Sequence, residues 1–367
     1  MILVLEGLRG IAALFVAIYH SWPSGIRSFP LMINGWLWVD LFFVLSGSVM
    51  SYSYSKRITS KVDFFNFIIK RFGRLYPLHF FTTLAFICIT LTIPFCAALL
   101  KNFLSLASVS PITSPDRLAQ MMEQLPFHLL LVHGLGTLNQ LDLNVPSWSI
   151  STEIAVYIAW ATIWFCFRNK KVWLTIAMVA TVVSLMILYF GVAKINFSYM
   201  NDYGILRCLA GFSIGTALPS LWLYLSNPIR KRFAVPCQII GIAATAALFY
   251  FARSIPAATY LAPFVFAVLI VGLVAYSSTI VRFLSSGVFV SLGRSSYSVY
   301  LWHVPLLLVF KPLASISPNW SLELITLAYI FTLLALAKLS YKYIETPCRV
   351  LIANFADKTF PLNPKNS

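Results

Sequence analysis

Length and composition place the chain in a membrane. It has 367 residues, of which 59% are hydrophobic and only 10% are charged, whereas an ordinary soluble domain carries roughly a quarter charged residues. This composition excludes a soluble globular protein. The 27 basic residues outnumber the 11 acidic ones, for a net charge of +16. We expect that surplus in loops that face anionic lipid, and we expect no nucleic-acid partner.

Apolar stretches long enough to cross a bilayer recur along the chain. A spanning helix needs about 20 mostly apolar residues, and the pattern predicts an all-α, polytopic membrane helix bundle of about ten transmembrane helices. The predicted spans are 9–22, 36–54, 75–100, 148–167, 172–192, 204–225, 236–252, 258–277, 288–310 and 322–341. The shorter run 125–136 (LPFHLLLVHGLG) is predicted to lie at the interface or to re-enter the membrane.

The positions of the basic residues set the orientation of the chain. With the N-terminus inside, most of the 27 Lys and Arg residues fall in cytoplasmic segments, as the positive-inside rule requires. Both termini are therefore predicted to be cytoplasmic. We predict one transmembrane domain, residues 1–350, and a short cytoplasmic tail, residues 351–367.

The cysteines predict no cross-linked or metal-bound framework. All six are scattered along the chain without a CxxC pair or a Cys/His cluster. We therefore expect neither a set of disulfides nor a bound metal.

Ionisable side chains inside predicted spans are the first candidates for a functional site, because charge in lipid is costly and usually faces a bundle interior or a watery cavity. Arg9 and His20 are eleven residues apart on the first span, which places them on one helical face, roughly 16 Å apart. The simpler alternatives are a snorkelling anchor for Arg9 and a packed histidine near the water boundary for His20.

Polar groups on three other spans are predicted at the same outer depth. Asp40 lies about one turn into the second span, and Glu153 lies at a similar depth in the fourth, one turn after Ser149. The ninth span brings Tyr300 and His303 to that depth. The alternative for Asp40 is a carboxylate that caps a helix N-terminus. A purely structural role as a membrane scaffold would not explain why these ionisable side chains lie at one depth.

A basic motif lies in the cytoplasmic loop before the third span. In KRFGRLYP, Arg71 and Arg74 are one helical turn apart and can point together at an anion. Guanidinium groups bind phosphate through paired, planar hydrogen bonds. The alternative is a basic patch that touches lipid headgroups.

These residues occur in motifs that resemble those of the integral-membrane acyltransferase-3 family. The opening LEGLRGIAALFVAIYH resembles the family signature of an arginine, ten intervening residues and a histidine, here Arg9 and His20. Further stretches match in the proper order, namely GWLWVDLFFVLSG with Asp40, RFGRLYP with Arg71 and Arg74, SWSISTE with Ser149 and Glu153, LGRSSYSVYLWHVP and YKYIETPCR. The chain has Trp38 where the family commonly has glycine. The resemblance extends over nearly the whole chain.

The resemblance implies a membrane O-acyltransferase. Family members acylate hydroxyl groups of cell-surface carbohydrates, which implies a multi-pass protein of the bacterial inner (cytoplasmic) membrane. It also implies an acyl-CoA donor, most often acetyl-CoA, and no permanently bound cofactor. The acceptors that fit are exopolysaccharide, lipopolysaccharide O-antigen and a lipo-oligosaccharide such as a nodulation factor, with an antibiotic precursor left open. Some relatives carry a fused, secreted hydrolase-like domain, which we do not expect in this chain.

The donor and acceptor are expected at opposite ends of the site. We expect Arg71 and Arg74, helped by Arg9, to clamp the phosphates of acyl-CoA at the inner surface while its thin pantetheine arm threads inward. Segment 101–147 is the expected acceptor-binding region. The oligomeric state, and whether a partner protein completes the transfer, are left open.

The chemistry is expected at a histidine. His20 would act as general base on the acceptor hydroxyl, with Asp40 or Glu153 fixing its tautomer. Further candidates for an oxyanion donor or a substrate contact are Ser149, Tyr300, His303 and Trp148. Direct transfer and a covalent acyl intermediate both stay open.

The alternative function for the same residues is that of a membrane carrier. Ten spans with ionisable groups near the midplane also describe a transporter or flippase for a lipid-linked sugar. Carriers of that kind have paired, Gly- or Pro-broken spans in symmetric halves, and the sequence has no convincing pair. We therefore expect the enzyme.

Overall fold

The computed structural model describes residues 3–54, 57–104, 115–167, 169–192, 197–200, 202–224, 227–275 and 278–361. Only the backbone is described for 93–104, 115–117, 170–171, 220–224 and 227–231. Parts of three predictions lie outside these ranges, namely the span ends at 225 and 276–277, tail residues 362–367, and residues 105–114 of the expected acceptor-binding region.

The described part of the chain is built from helices. The α-helices are α1 Leu3–Tyr19, α2 Pro30–Ile33, α3 Trp38–Tyr54, α4 Lys61–Leu104, α5 Pro115–Leu129, α6 Trp148–Cys166, α7 Lys170–Met186, α8 Gly204–Tyr224, α9 Asn227–Phe251, α10 Ala262–Ala275, α11 Thr279–Leu284, α12 Gly287–Arg294, α13 Ser296–Ile316, α14 Leu322–Ser340 and α15 Thr346–Thr359. Two π-helical turns, Ile187–Val192 and Tyr341–Glu345, follow α7 and α14.

The all-α, polytopic membrane fold is confirmed. Within the described ranges, eight helical stretches are long and apolar enough to cross a membrane. The ten predicted spans each overlap a long helix, but α1 has only 17 residues and the apolar part of α8, Gly204–Pro219, is also short. The count of ten spans and the cytoplasmic termini therefore stay predictions.

Two predicted spans differ from the helices that contain them. The span 288–310 is two helices, α12 and α13, because the chain breaks at Ser295. The span 75–100 is part of α4, whose 44 residues correspond to about 66 Å at 1.5 Å per residue. That length exceeds the roughly 30 Å of a hydrocarbon core, so the basic start of α4 extends beyond it.

The predicted tail begins as a helix that packs against the start of α4. Asp357 accepts hydrogen bonds from Asn66 at 3.0 Å and from Lys70 at 2.6 Å, and the rings of Phe65 and Phe360 stack at 5.7 Å. Described tail residues thus extend α15, and the boundary at residue 350 does not coincide with the end of a helix.

The run 125–136 is the end of α5 followed by a turn. Leu131 and Gly136 have positive φ angles of 55° and 79°, which reverse the chain. Ser151 anchors the turn to α6, since its Oγ donates to the Leu131 carbonyl at 2.6 Å and accepts from the Gly134 N–H at 3.1 Å. The turn is therefore fixed to the helix that carries Ser149 and Glu153.

Helices α3 and α8 approach closely through glycines. A Cβ at Gly47 would lie 2.1 Å from the Phe212 carbonyl oxygen, and one at Gly215 would lie 2.1 Å from the Val44 carbonyl oxygen. Small residues allow such close backbone contact, which drives helix association in lipid. This contact places α3 and α8 side by side, and Asp40 on α3 pairs with Arg207 on α8.

Replacing Gly47 tests this contact. We expect Gly47→Ala to force α3 and α8 apart, because overpacking costs about 1–3 kcal/mol, and to lower the midpoint of thermal unfolding in detergent by several degrees. Gly287→Ala is the control, because a Cβ at Gly287 would meet nothing within 4 Å. Equal unfolding midpoints for the two variants would contradict the proposed packing.

Candidate active site

Two histidines from distant parts of the chain lie together, one at the C-terminal end of α1 and one within α13. His20 follows the last residue of α1, and its ring centroid is 5.0 Å from that of His303. His20 Nδ1 donates to the Val16 carbonyl at 2.9 Å. Because that bond uses the proton on Nδ1, Nε2 of neutral His20 carries a free lone pair. Two of the four residues predicted at one depth are thus in contact through their rings.

His303 has the same tautomer. It is completely buried, and its Nδ1 donates to the Tyr300 carbonyl at 2.5 Å. Its buried Nε2 has no hydrogen-bond partner among the described residues. Neutral His303 therefore presents an acceptor beside His20, and it has no N–H left for an oxyanion.

Asp40 binds an arginine rather than His20. Its two oxygens accept hydrogen bonds from Nε and Nη2 of Arg207, each at 2.8 Å. The two side chains are 0% and 2% exposed, so the ion pair is fully buried. The expected contact between Asp40 and His20 is replaced by the contact of His20 with the Val16 carbonyl.

Arg207 is enclosed by aromatic rings and backbone carbonyls. Its Cζ lies 5.3 to 5.5 Å from the ring centroids of Trp36, Trp148 and Phe197, and its Nη1 donates to the Tyr199 carbonyl. Trp148 is only 4% exposed. In this position it covers Arg207, so it offers no open face to a sugar ring.

Glu153 is held by two hydroxyl groups. Its Oε1 accepts hydrogen bonds from Ser46 Oγ and from Tyr157 OH. Glu153 therefore does not orient His20 either. It connects α6 to α3 at the wall of a cavity.

That cavity lies between α1, α3, α4, α6 and α13. Its polar lining is Glu6, Arg9, Ser46, Arg74, Ser149, Glu153, Tyr157, Ser296, Tyr297 and Tyr300. It thus joins two of the predicted arginines to the hydroxyl groups of Ser149 and Tyr300. His20 and His303 lie beyond Tyr300, whose ring is 5.7 Å from that of His303.

The three predicted arginines have different surroundings. Arg9 is held within the protein, because its Nε donates to Ser296 Oγ and its Nη2 donates to Glu6 Oε2 and the Gly293 carbonyl, at 2.8 to 3.1 Å. Arg74 lies on the cavity wall. Arg71 does not line the cavity and is buried, with its Cζ 4.6 Å from the Tyr54 ring centroid.

Arg71 nevertheless keeps unused hydrogen-bond donors. Its buried Nε and Nη1 have no partner among the described residues. Its Cζ also lies 5.9 Å from the ring centroid of Tyr157, the tyrosine that donates to Glu153. The two arginines of the motif are therefore near the same Tyr157–Glu153 pair.

Ser149 and Tyr300 form a hydroxyl pair on the cavity wall. Ser149 Oγ and Tyr300 OH are 2.9 Å apart, and each lies within hydrogen-bond distance of the Pro146 carbonyl, at 3.1 and 3.0 Å. One hydroxyl donates to the other and the second donates to the carbonyl, so rotation of either frees a donor for a bound group.

Comparison with known proteins decides the family. A family model described as an acyltransferase domain matches residues 2–339. The chain belongs to the acyltransferase-3 family. It is 28% identical over 369 residues to "O-acetyltransferase OatA" of Staphylococcus aureus and 26% identical over 375 residues to "Peptidoglycan O-acetyltransferase OatA" of Listeria monocytogenes. Each alignment covers 94% of this chain but only 57% and 55% of those proteins. No solved structure matches the chain.

Several site residues of this acyltransferase-3 chain were missed from the sequence. Arg207 lies inside a predicted span, and the rule that singled out Asp40 would have found it. Glu345 is 5% exposed and accepts from Ser298 Oγ at 2.9 Å, and it lies in the YKYIETPCR stretch. Ser46 and Tyr157 give no such signal, because hydroxyl groups are common in membrane helices.

The Asp40–Arg207 pair can be tested by removing one charge. We expect Asp40→Asn to leave a buried guanidinium unpaired, at a cost of about 3–5 kcal/mol, and to prevent accumulation of folded protein. The matched control is Asp357→Asn, because Asp357 pairs with Lys70 but is 50% exposed, and we expect a loss of about 1 kcal/mol or less.

The measurement is thermal unfolding and the yield of monodisperse protein in detergent. Similar unfolding midpoints for the two variants would show that the buried pair has no special structural role.

Proposed function

We propose that the protein is a multi-pass O-acetyltransferase of the bacterial inner membrane, which transfers an acetyl group from cytoplasmic acetyl-CoA to a hydroxyl of a cell-surface carbohydrate. The observation that carries the proposal is the state of His20, whose Nδ1–H is held by the Val16 carbonyl so that Nε2 is free to accept a proton. Family membership favours this enzyme over a sugar carrier.

His20 acts as the general base. A neutral imidazole that takes the proton of an alcohol in the transition state contributes roughly 10²- to 10⁴-fold to the rate. The Val16 carbonyl performs the orienting task that a carboxylate performs in a catalytic triad. When Nε2 of His20 has taken up the proton, it donates a hydrogen bond to the free Nε2 of His303. The two histidines then share that proton.

The hydroxyl pair stabilises the thioester oxyanion. Ser149 and Tyr300 lie where the cavity ends and the histidine pair begins, which is the position that an oxyanion donor needs. Asp40 has a positioning role in this scheme, because it fixes Arg207 and with it the relative placement of α3 and α8. Glu153 fixes Tyr157 and Ser46 on the cavity wall.

The donor enters from the side of the arginines. Arg74 on the wall supplies the charge-assisted hydrogen bonds that a phosphate needs. Arg71, which does not line the cavity and lies buried beside Tyr157, adds its positive charge behind the wall. Arg9 adds its positive charge at the same end of the cavity while its own donors hold Glu6 and Ser296. The pantetheine arm follows the cavity from Arg74 toward Ser149.

The acceptor is a glycan outside the cell. The name of the Listeria relative specifies peptidoglycan, and peptidoglycan therefore joins exopolysaccharide, O-antigen and nodulation-type lipo-oligosaccharide as an acceptor. Mass spectrometry of surface glycans from cells with and without the protein distinguishes these acceptors by the fragment that gains the acetyl mass.

Substitution of His20 tests the base. In proteoliposomes with labelled acetyl-CoA and glycan fragments, we expect His20→Gln to lower kcat for label transfer at least 100-fold. The matched control Ser28→Ala lies in the following loop and is exposed, and we expect it to be fully active. Both variants should unfold at the wild-type temperature. Full activity of His20→Gln would end the general-base proposal.

Substitution of Arg74 tests the donor site. Loss of a charge-assisted hydrogen bond costs about 1.5–3 kcal/mol, so we expect Arg74→Gln to raise the apparent KM for acetyl-CoA roughly 10- to 100-fold, with little change in the KM for the glycan. Arg282→Gln is the control, because Arg282 is an exposed arginine on a predicted cytoplasmic segment. An unchanged KM for acetyl-CoA would show that Arg74 does not bind the donor and instead contacts lipid or packs in the cavity wall.

A further inference from the structure

Three histidines cluster outside the proposed active site. His79 lies on α4, His128 in the last turn of α5 and His133 in the turn that follows. They are 1%, 0% and 0% exposed. One donor nitrogen of each lies within 4.8 Å of those of the other two, so the three rings share one buried pocket.

The hydrogen bonds of the three rings leave most of the pocket unsatisfied. His79 Nε2 donates to the His128 carbonyl at 2.9 Å, and His133 Nε2 pairs with Ser147 Oγ at 3.0 Å. Nδ1 of His79, Nδ1 of His133 and both ring nitrogens of His128 are buried without a partner among the described residues. A buried polar atom without a partner costs about 1–3 kcal/mol, so a group that satisfies all three rings at once would remove a large penalty.

This pattern is that of a metal site. Histidines that bind a metal through one nitrogen usually donate the other N–H to a carbonyl, a hydroxyl or a carboxylate. His79 and His133 each have one nitrogen engaged in this way and one that is free, and either nitrogen of His128 can serve.

We propose that His79, His128 and His133 bind a Zn²⁺ ion that fixes α5 and the following turn to α4. Three imidazoles and one further ligand are an established donor set for zinc, with Zn–N distances of about 2.0–2.1 Å. The rings are close to parallel, at 4° and 11° to His133, and lone pairs lie in the ring planes. Binding therefore turns the rings about their Cβ–Cγ bonds until the free nitrogens converge.

The surroundings supply part of the charge compensation. The three ligands are neutral, but α5 ends at Leu129, and the carbonyl end of a helix favours a cation. Asn144 is buried, and its Oδ1 has no partner among the described residues, while its Nδ2 donates to Thr82 Oγ1, one turn from His79. A water molecule or a hydroxide ion completes a four-ligand site.

Such an ion would stabilise the start of α6. His133 pairs with Ser147, and the Gly134 N–H donates to Ser151 Oγ, so the turn that holds His133 also holds the residues on both sides of Ser149. This role is structural, and it does not depend on the acyl-transfer proposal. Failure of one proposal therefore leaves the other standing.

Metal content tests the site directly. The full chain is purified in detergent with a tag free of histidine, and its zinc is measured by inductively coupled plasma mass spectrometry. We expect about one zinc per chain in the wild type and close to none in His128→Gln and His133→Gln. His20→Gln and His303→Gln are matched controls, because they remove one buried or half-buried histidine each, and both should keep the ion.

A second measurement uses the wild type alone, so that a variant that fails to fold leaves the proposal testable. After removal of metal by a chelator, addition of Zn²⁺ should raise the unfolding temperature by several degrees, and Co²⁺ should give the visible absorption of a tetrahedral nitrogen site. A wild type without zinc, whose unfolding temperature does not respond to Zn²⁺, would overturn the proposal. So would equal zinc in the His128 and His20 variants.

Discussion

The buried ion pair between Asp40 and Arg207 is the contact on which the arrangement of α3 and α8 depends. A charge inside a membrane protein needs a partner nearby, since lipid offers none. Arg207 finds a carboxylate on α3, carbonyls before α3 and α8, and three aromatic faces. The glycine contact between α3 and α8 brings the two backbones close enough for this pairing. The pair and the glycines thus specify one relative placement of the two helices, and every polar residue nearby is arranged around it.

Hydrogen-bond satisfaction separates the structural polar residues from those that are free to act. Arg9, Asp40 and Glu153 have their main polar atoms engaged within the protein. The free Nε2 of His303 and the free nitrogens of Arg71 are instead poised for a group that is not part of the chain. The sequence motifs contain both structural residues and residues that are free to act, because both are ionisable residues inside helices. Only the contacts in the structure distinguish them.

The sequence predicts the helices well and the contacts poorly, for a physical reason. Hydrophobic runs are local, so the spans at 36–54, 148–167 and 322–341 agree closely with α3, α6 and α14. The partner of Asp40 is 167 residues away, and helix periodicity carries no information on which distant helix a face will meet. The sequence predicts one depth for His20 and His303 but carries no information on whether their rings pair. The break at Ser295 lies in the polar stretch GRSSYS, and it was not predicted because the apolar residues on both sides of that stretch are numerous enough to suggest one continuous span.

The orientation of His20 by a backbone carbonyl has a consequence for how such a base works inside a membrane. A carboxylate next to the ring would stabilise the imidazolium strongly and would itself be a second charge to solvate in a region of low polarity. The Val16 carbonyl lies in the last turn of α1, where it accepts both the backbone N–H of His20 at 3.3 Å and the ring N–H at 2.9 Å, and the carbonyl end of a helix carries partial negative charge. The end of α1 therefore selects the tautomer and favours the protonated ring without adding a full charge. Because the carbonyl performs this task, Asp40 is free to pair with Arg207. His20 can use this carbonyl because it lies just after the last residue of α1, eleven residues beyond Arg9.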